Sequence, residues 1–126
     1  MVTILIVEDD LSLLKLYKMI LEFEGFDTYS ANNGEKAVNV FKSFSEKPKI
    51  ILMDHRMPIK NGIDAAKEIL AIDYNAKIIF VSADASIKNK ALSIGAIKFI
   101  KKPFSLDYLI RSIKIVLNLS ECANIV

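Results

Sequence analysis

The chain of 126 residues is 52% hydrophobic and 25% charged, with 17 basic and 15 acidic side chains and a formal net charge of +2. That length suits one domain with its own core and is short for two, and so small a charge excess requires no nucleic-acid partner. A lone cysteine, Cys122, and a lone histidine, His55, exclude an internal disulfide and a Cys/His zinc cluster, while apolar runs such as Ile4–Val7 are far too short to span a membrane.

The first apolar run, Val2–Val7, is followed by helical spacing at Leu13, Leu14, Tyr17, Ile20 and Leu21, which Gly25 ends where a left-handed residue is wanted. The second, Phe26–Ser30, leads through Asn33, a side chain able to cap free backbone donors, to Ala37, Val40, Phe41 and Phe44. The third, Ile50–Met53, precedes Ile63, Ala66, Ile69 and Leu70. The fourth, Lys77–Val81, precedes Ile87, Ala91 and Ile94, with Gly95 as the stop. The fifth, Ile97–Ile100, is followed by Ser105 as a cap and by Leu106, Leu109, Ile110, Ile113, Val116 and Leu117. Pro48 and Pro103 stand at the edges of runs and never inside one.

Short Ile/Val-rich runs that are apolar on both faces predict strands covered by helices on both sides. Alternating β and α units then predict an α/β fold, a doubly wound five-stranded parallel sheet with right-handed crossovers. No linker, repeat or low-complexity tract interrupts the pattern, so residues 1–126 are expected to form one domain with no output domain. With no basic, cleavable leader at the N-terminus, the expected location is the cytoplasm.

In an open α/β sheet, ligands bind outside the carboxyl ends of the strands. There the first strand delivers Glu8, Asp9 and Asp10, the third Asp54, the fourth Ser82, and the fifth Lys101 and Lys102. If the first and third strands are neighbours, Glu8, Asp9 and Asp54 converge in one acidic pocket bordered by Lys102 and Ser82. Three carboxylates against one ammonium leave an excess of negative charge, and like charges about 4 Å apart repel by roughly 4 kcal/mol at an effective dielectric near 20. Either a carboxyl takes up a proton or a divalent cation fills the gap, and hard oxygen ligands with room for water favour Mg2+. Such a site beside a lysine and a hydroxyl suits a phosphoryl group. The nucleophile is then water or a carboxylate, and among the carboxylates Asp54, on the central strand, is placed best.

At these residues the chain resembles the response regulator receiver domain. Ile4-Leu5-Ile6-Val7-Glu8-Asp9-Asp10 is similar to that family's first strand and acidic pair, and Asp54-His55-Arg56-Met57-Pro58-Ile59-Lys60-Asn61-Gly62 resembles its phosphoacceptor segment. Val81-Ser82-Ala83 resembles its hydroxyl-Ala turn, and Lys102-Pro103-Phe104 its lysine with the following proline. The four motifs come in family order and spacing, and the similarity covers essentially the whole chain.

The resemblance implies a flavodoxin-like receiver fold with strand order 2-1-3-4-5, the order taken by the chemotaxis receiver. It implies that Asp54 accepts a phosphoryl group from phosphohistidine on a sensor histidine kinase or phosphotransfer protein. Mg2+ would be held by Glu8, Asp9, Asp54 and the backbone carbonyl of Arg56, with Ser82 and Lys102 on the phosphoryl oxygens. Ser82 and Phe99 would form the switch that remodels the surface around the fourth helix and fifth strand for a downstream protein target. Such a protein is not a conventional enzyme, although it catalyses its own aspartyl phosphorylation and dephosphorylation; no direct nucleic-acid or membrane contact is implied. Two departures stand out. Glu8 replaces the more usual Asp, so its longer arm is expected to reach metal through water, and Arg56 is expected to overhang the site and slow the attack of water.

Other readings of the same residues are plainer. Asp10 fits an N-cap or first-turn acid, Lys101 a solvated lysine, His55 a loop residue and Cys122, past the last helical pattern, an incidental thiol. Lys88, Lys90, Lys98, Lys101, Arg111 and Lys114 are expected to gather on one outward face, either solvated or docking an acidic partner, with Leu11, Tyr108 and Ile115 as candidate apolar contacts. A receiver-like module that binds without phosphorylation is the main rival. A phosphatase of the haloacid-dehalogenase type would need an acid where Arg56 stands, and a nucleotide carrier would need a Gly-rich loop where Glu8, Asp9 and Asp10 stand.

Overall fold

Side chains alternate between the two faces of a strand, so each central strand feeds two cores at once. Leu5, Val7, Ile51, Met53, Ile78 and Phe80 point to one face and pack with Ala37, Phe41, Ile63, Ala66, Ile69 and Ala91. Ile4, Ile6, Ile50, Leu52, Ile79, Val81 and Ile100 point to the other, against Leu14, Tyr17, Leu21, Leu109, Ile113 and Val116. A computed structural model describes residues 2–125, and side-chain surroundings through Asn118. The elements run β1 (Thr3–Val7), α1 (Leu11–Phe23), β2 (Asp27–Ala31), α2 (Gly34–Ser43), β3 (Ile50–Met53), α3 (Gly62–Ile72) and β4 (Ile78–Ser82). A 3-10 turn (Ala85–Ile87) then leads into α4 (Lys88–Ser93), β5 (Lys98–Lys101) and α5 (Leu106–Ile125). All the strands pair in parallel in the order β2-β1-β3-β4-β5, with α1 and α5 covering one face and α2, α3 and α4 the other. No described helix is long and apolar enough to cross a membrane.

The expected punctuation is present. Asp10 caps α1, accepting from the Ser12 and Leu13 amides at 2.9 and 3.2 Å, and Asn33 caps α2 by accepting from the Lys36 amide at 2.8 Å. The Ser105 hydroxyl accepts from the Tyr108 amide at 3.1 Å, and Gly25 and Gly95 take φ of +94° and +119°.

Four expectations need correction. β2 is an edge strand, mostly exposed rather than apolar on both faces, because among the described residues β1 alone pairs with it and no strand lies beyond it. It begins at Asp27 rather than Phe26, since the ladder is set by pairing of Thr3 with Asp27 and Val7 with Ala31. β4 and β5 end one residue later than the apolar runs Lys77–Val81 and Ile97–Ile100, at Ser82 and Lys101, which lie opposite one another. The fourth helix is shorter than the span from Ile87 to Ile94: Ile87 ends a 3-10 turn before it and Ile94 is the C-cap of its six residues. The longer α5 also takes in Cys122, whose side chain lies outside the described residues.

The loop from β3 to α3 contains a backbone outlier. Ile59 has φ +71° and its neighbours close a tight turn, with the Lys60 amide donating to the Pro58 carbonyl at 2.8 Å. A β-branched residue pays steric strain there, about 1–3 kcal/mol, whereas glycine adopts it freely at an entropic cost of roughly 0.5–1 kcal/mol. Ile59 is 76% exposed, so little burial is lost on truncation. Ile59→Gly is expected to raise stability by about 1 kcal/mol, read as a higher denaturant midpoint at unchanged slope.

Candidate functional site

Register brings the acids together. Val7 and Met53 are partners across β1 and β3, so the chain emerges from adjacent strand ends at Glu8 and Asp54. The Glu8 amide donates to the Ala31 carbonyl at 3.1 Å and the Asp54 amide to the Val7 carbonyl at 3.0 Å, which fixes both backbones. Carboxylate oxygens of Glu8, Asp9 and Asp54 consequently lie within 4.8 Å of one another. On the far side the Lys102 amide donates to the Ser82 carbonyl at 2.9 Å, holding the lysine against the end of β4. Its Nζ lies 2.8 Å from Glu8 Oε1 and 3.8 Å from Asp54 Oδ2.

Glu8 is almost completely buried and both of its oxygens are engaged, Oε2 accepting from the Asp10 amide at 3.2 Å. Burial pushes its carboxyl above the usual range, the Asp54 carboxylate adds to this, and the Lys102 ammonium works against it. Asp9, at the surface, is also raised, by desolvation first and then by Glu8. Desolvation opposes the charge on Lys102, but contact with Glu8 and Asp54 outweighs it and leaves the ammonium above its ordinary value. Asp54 offers its Oδ1 to the His55 amide at 2.8 Å, which leaves Oδ2 facing Lys102. One ammonium cannot balance three carboxylates, so the residues fit a small, hard, partly hydrated dication such as Mg2+.

The remaining walls come from two loops. An open cleft is lined by Asp54, Arg56, Ser82, Ala83, Asp84, Ala85 and Lys102. Ser82 is buried, and its hydroxyl accepts from the Asp84 amide at 3.1 Å. Asp84 caps the 3-10 turn, accepting from the Ser86 amide at 3.0 Å and from the Ser86 hydroxyl, and also accepts from Arg56 Nη2 at 3.1 Å. The Ser86 hydroxyl, and then Arg56, hold its carboxyl below the usual range.

An acidic trio, a lysine and a hydroxyl thus stand together at the carboxyl ends of a sheet ordered β2-β1-β3-β4-β5. Residues 4–114 match the response regulator receiver domain. The chain belongs to the response regulator receiver domain family. It is 43% identical to the chemotaxis protein CheY of Thermotoga maritima over 80% of this chain and 85% of that protein. This receiver domain also superposes on a CheY-like receiver from Methanospirillum hungatei JF-1 with a TM-score of 0.91, at 30% identity over 98% of both chains. A CheX-CheY-BeF3-Mg2+ complex from Borrelia burgdorferi matches with a TM-score of 0.87, at 30% identity over 92% of this chain and 89% of that one. Other curated relatives are longer: the chain spans 23% of regulatory protein AtoC of Escherichia coli, at 36% identity, and 51% of the Haemophilus influenzae CpxR homolog.

Within this receiver domain the expected residues divide into two groups. Glu8, Asp9, Asp54, Ser82 and Lys102 meet at one place. Phe99 does not enter the cleft; it pairs with Phe80 across β4 and β5 and packs, half-buried, on the face of α2, α3 and α4. The Arg56 side chain lines the same cleft as Asp54 and pairs across it with Asp84 at 3.1 Å. His55 is a loop residue, as expected, whose Nδ1 accepts from the Ile63 amide at 3.3 Å and ties the loop to α3. Lys114 departs from the basic face, turning to α1 to pair with Glu24 at 3.4 Å, whereas Lys98 lies over the Tyr108 ring. Leu11, Tyr108 and Ile115 are exposed. Asp84 was not singled out by sequence reasoning, although an Asp two residues before Ser86 at the head of an apolar pattern is a capping signal that could have placed it.

Proposed function

We propose that this domain is a phosphorylation switch of a two-component or phosphorelay system, with Asp54 as the acceptor and Lys102 and Ser82 as its phosphoryl-binding groups. The observation that carries the proposal is Asp54 Oδ2 facing Lys102 Nζ at 3.8 Å, inside a carboxylate trio and beside the Ser82 hydroxyl. In the transfer, the P–N bond of a phosphohistidine breaks as a P–O bond to Asp54 forms, and the leaving imidazole nitrogen takes up a proton. Lys102 draws away from the carboxylates toward the phosphoryl oxygens, which are the stronger anion, and Ser82 donates its hydroxyl proton to one of them.

Glu8, Asp9, Asp54 and the Arg56 carbonyl are the groups that would hold Mg2+, which when bound neutralises charge on the carboxylates and the phosphoryl oxygens. With both Glu8 oxygens already engaged, Asp9 and Asp54 supply the most accessible protein oxygens for it. Ser82 pairs with Lys101 at the end of β4, two residues along from the Phe80–Phe99 pair. Movement of its hydroxyl therefore reaches Phe99 and the surface of α4 and β5, a population shift read by a partner protein. The exposed basic side chains Lys88, Lys90, Lys101 and Arg111 favour an acidic partner there. The phosphodonor is a histidine kinase or phosphotransfer protein, and the switch works in the cytoplasm.

Incubation with acetyl phosphate and Mg2+, read by intact mass and peptide mapping, tests this reading. A Mg2+-dependent gain of one phosphoryl group on the peptide holding Asp54 is expected. No adduct, or one elsewhere, would leave the module that binds without phosphorylation as the better account.

A further inference from the structure

The groups that control the β4–α4 loop form one unbroken chain. Arg56 Nη2 donates to Asp84 Oδ2 at 3.1 Å, spanning the cleft from the loop after β3 to the loop after β4. Asp84 in turn holds the head of the 3-10 turn through the Ser86 amide at 3.0 Å, and its own amide donates to the Ser82 hydroxyl at 3.1 Å. Ser82 is 1% exposed, so among the described residues this amide is the group that orients its hydroxyl. The Arg56 side chain is 80% exposed and that of Asp84 18%, so the pair sits on the surface while the group it steadies is buried.

We infer that the Arg56–Asp84 ion pair is a strap that keeps the β4–α4 loop and the Ser82 hydroxyl in the resting arrangement, making Arg56 and Asp84 positioning residues for the switch. The inference rests on the phosphorylation reading for its functional meaning but not for its geometry. For Ser82 to turn toward a phosphoryl oxygen, the Asp84 amide must follow or let go, and the strap opposes either movement from the opposite wall. Because one partner is exposed, it opposes them only modestly. Surface ion pairs shift equilibria by about two- to fivefold, and salt screens them. A switch built this way retains a small population of unstrapped molecules before any donor arrives, and releasing the strap enlarges it.

The test uses Arg56→Met and Asp84→Asn, because asparagine keeps a side-chain oxygen for the Ser86 amide and so preserves the cap. Amide hydrogen exchange over residues 83–93 is followed in the donor-free, metal-free protein, alongside thermal melts that show the variants folded. The strap predicts exchange about two- to fivefold faster in both single variants, little further gain in the double variant, and convergence with the wild type at high salt. Direct charge effects predict the opposite pattern: losing Arg56 lowers, and losing Asp84 raises, the local attraction for hydroxide that catalyses exchange. Opposite signs in the two variants, additive effects, or no change in either would overturn the inference. Acetyl phosphate labelling of the same variants separates the two claims. Labelling without a shared change in exchange removes the strap and keeps the function, and faster exchange in both with no labelling of the wild type keeps the strap and removes the function.

Discussion

Asp54→Asn is expected to abolish the phosphoryl adduct while making the metal-free protein more stable. Asparagine keeps an oxygen to accept from the His55 amide at 2.8 Å, so the local backbone has no reason to move. The charge balance decides the sign. Asp54 repels Glu8 and Asp9, with oxygens inside 4.8 Å, and attracts Lys102 at 3.8 Å. At an effective dielectric near 20 each bare contact is worth about 3–4 kcal/mol, so two repulsions outweigh one attraction. Solvent around the exposed Asp9 weakens its share, and a net gain of about 1–2 kcal/mol remains. With Mg2+ present the order narrows or reverses, since a ligand that binds only the folded state stabilises the wild type and has lost one carboxylate in the variant. Denaturant midpoints with EDTA and with Mg2+ read both effects. A variant less stable than the wild type in EDTA would show that the trio is not under electrostatic strain.

Gly62→Ala is expected to be the most damaging small substitution near the site. A Cβ at Gly62 would lie 2.1 Å from the Asp54 carbonyl oxygen and 2.9 Å from His55 Cα. Both are backbone atoms, and the Gly62 amide is clamped to the His55 carbonyl at 2.8 Å, so neither side can give without separating α3 from the end of β3. Alanine's better helix propensity returns at most about 1 kcal/mol. Overpacking against rigid backbone costs more, about 3 kcal/mol here, a fall in Tm on the order of 10 °C together with displacement of Asp54. Gly25→Ala is the contrast: φ is +94° but nothing lies within 4 Å of the added carbon, so only the backbone strain of roughly 1 kcal/mol is expected. Equal losses at the two sites, by thermal melts, would mean that contact with the β3 backbone is not what makes Gly62 necessary.

Much of this was legible in the one-dimensional pattern. Short runs apolar on both faces, such as Ile4–Val7 and Ile50–Met53, alternating with helical spacing, determined the layered α/β class, because burial on both faces leaves few other ways to cover such strands. The caps at Asp10, Asn33 and Ser105 and the turns at Gly25 and Gly95 were likewise readable, since each depends on one side chain or one φ angle. The four motifs pointed to Glu8, Asp9, Asp54, Ser82 and Lys102 as a group before any distance was known.

What the sequence could not supply was whatever depends on which strand lies beside which, and on what a long side chain finds within reach. Composition alone does not make β2 an edge; its place at the end of the order β2-β1-β3-β4-β5 does. Nor does residue order say that Lys102 rests nearer Glu8 than Asp54, or that Arg56 turns to Asp84, because those outcomes compare competing partners separated by 28 to 94 residues along the chain. Local pattern thus determined the elements and the cast of the site, and tertiary packing alone decided its internal allegiances, because electrostatic and steric competition acts through space and not along the chain.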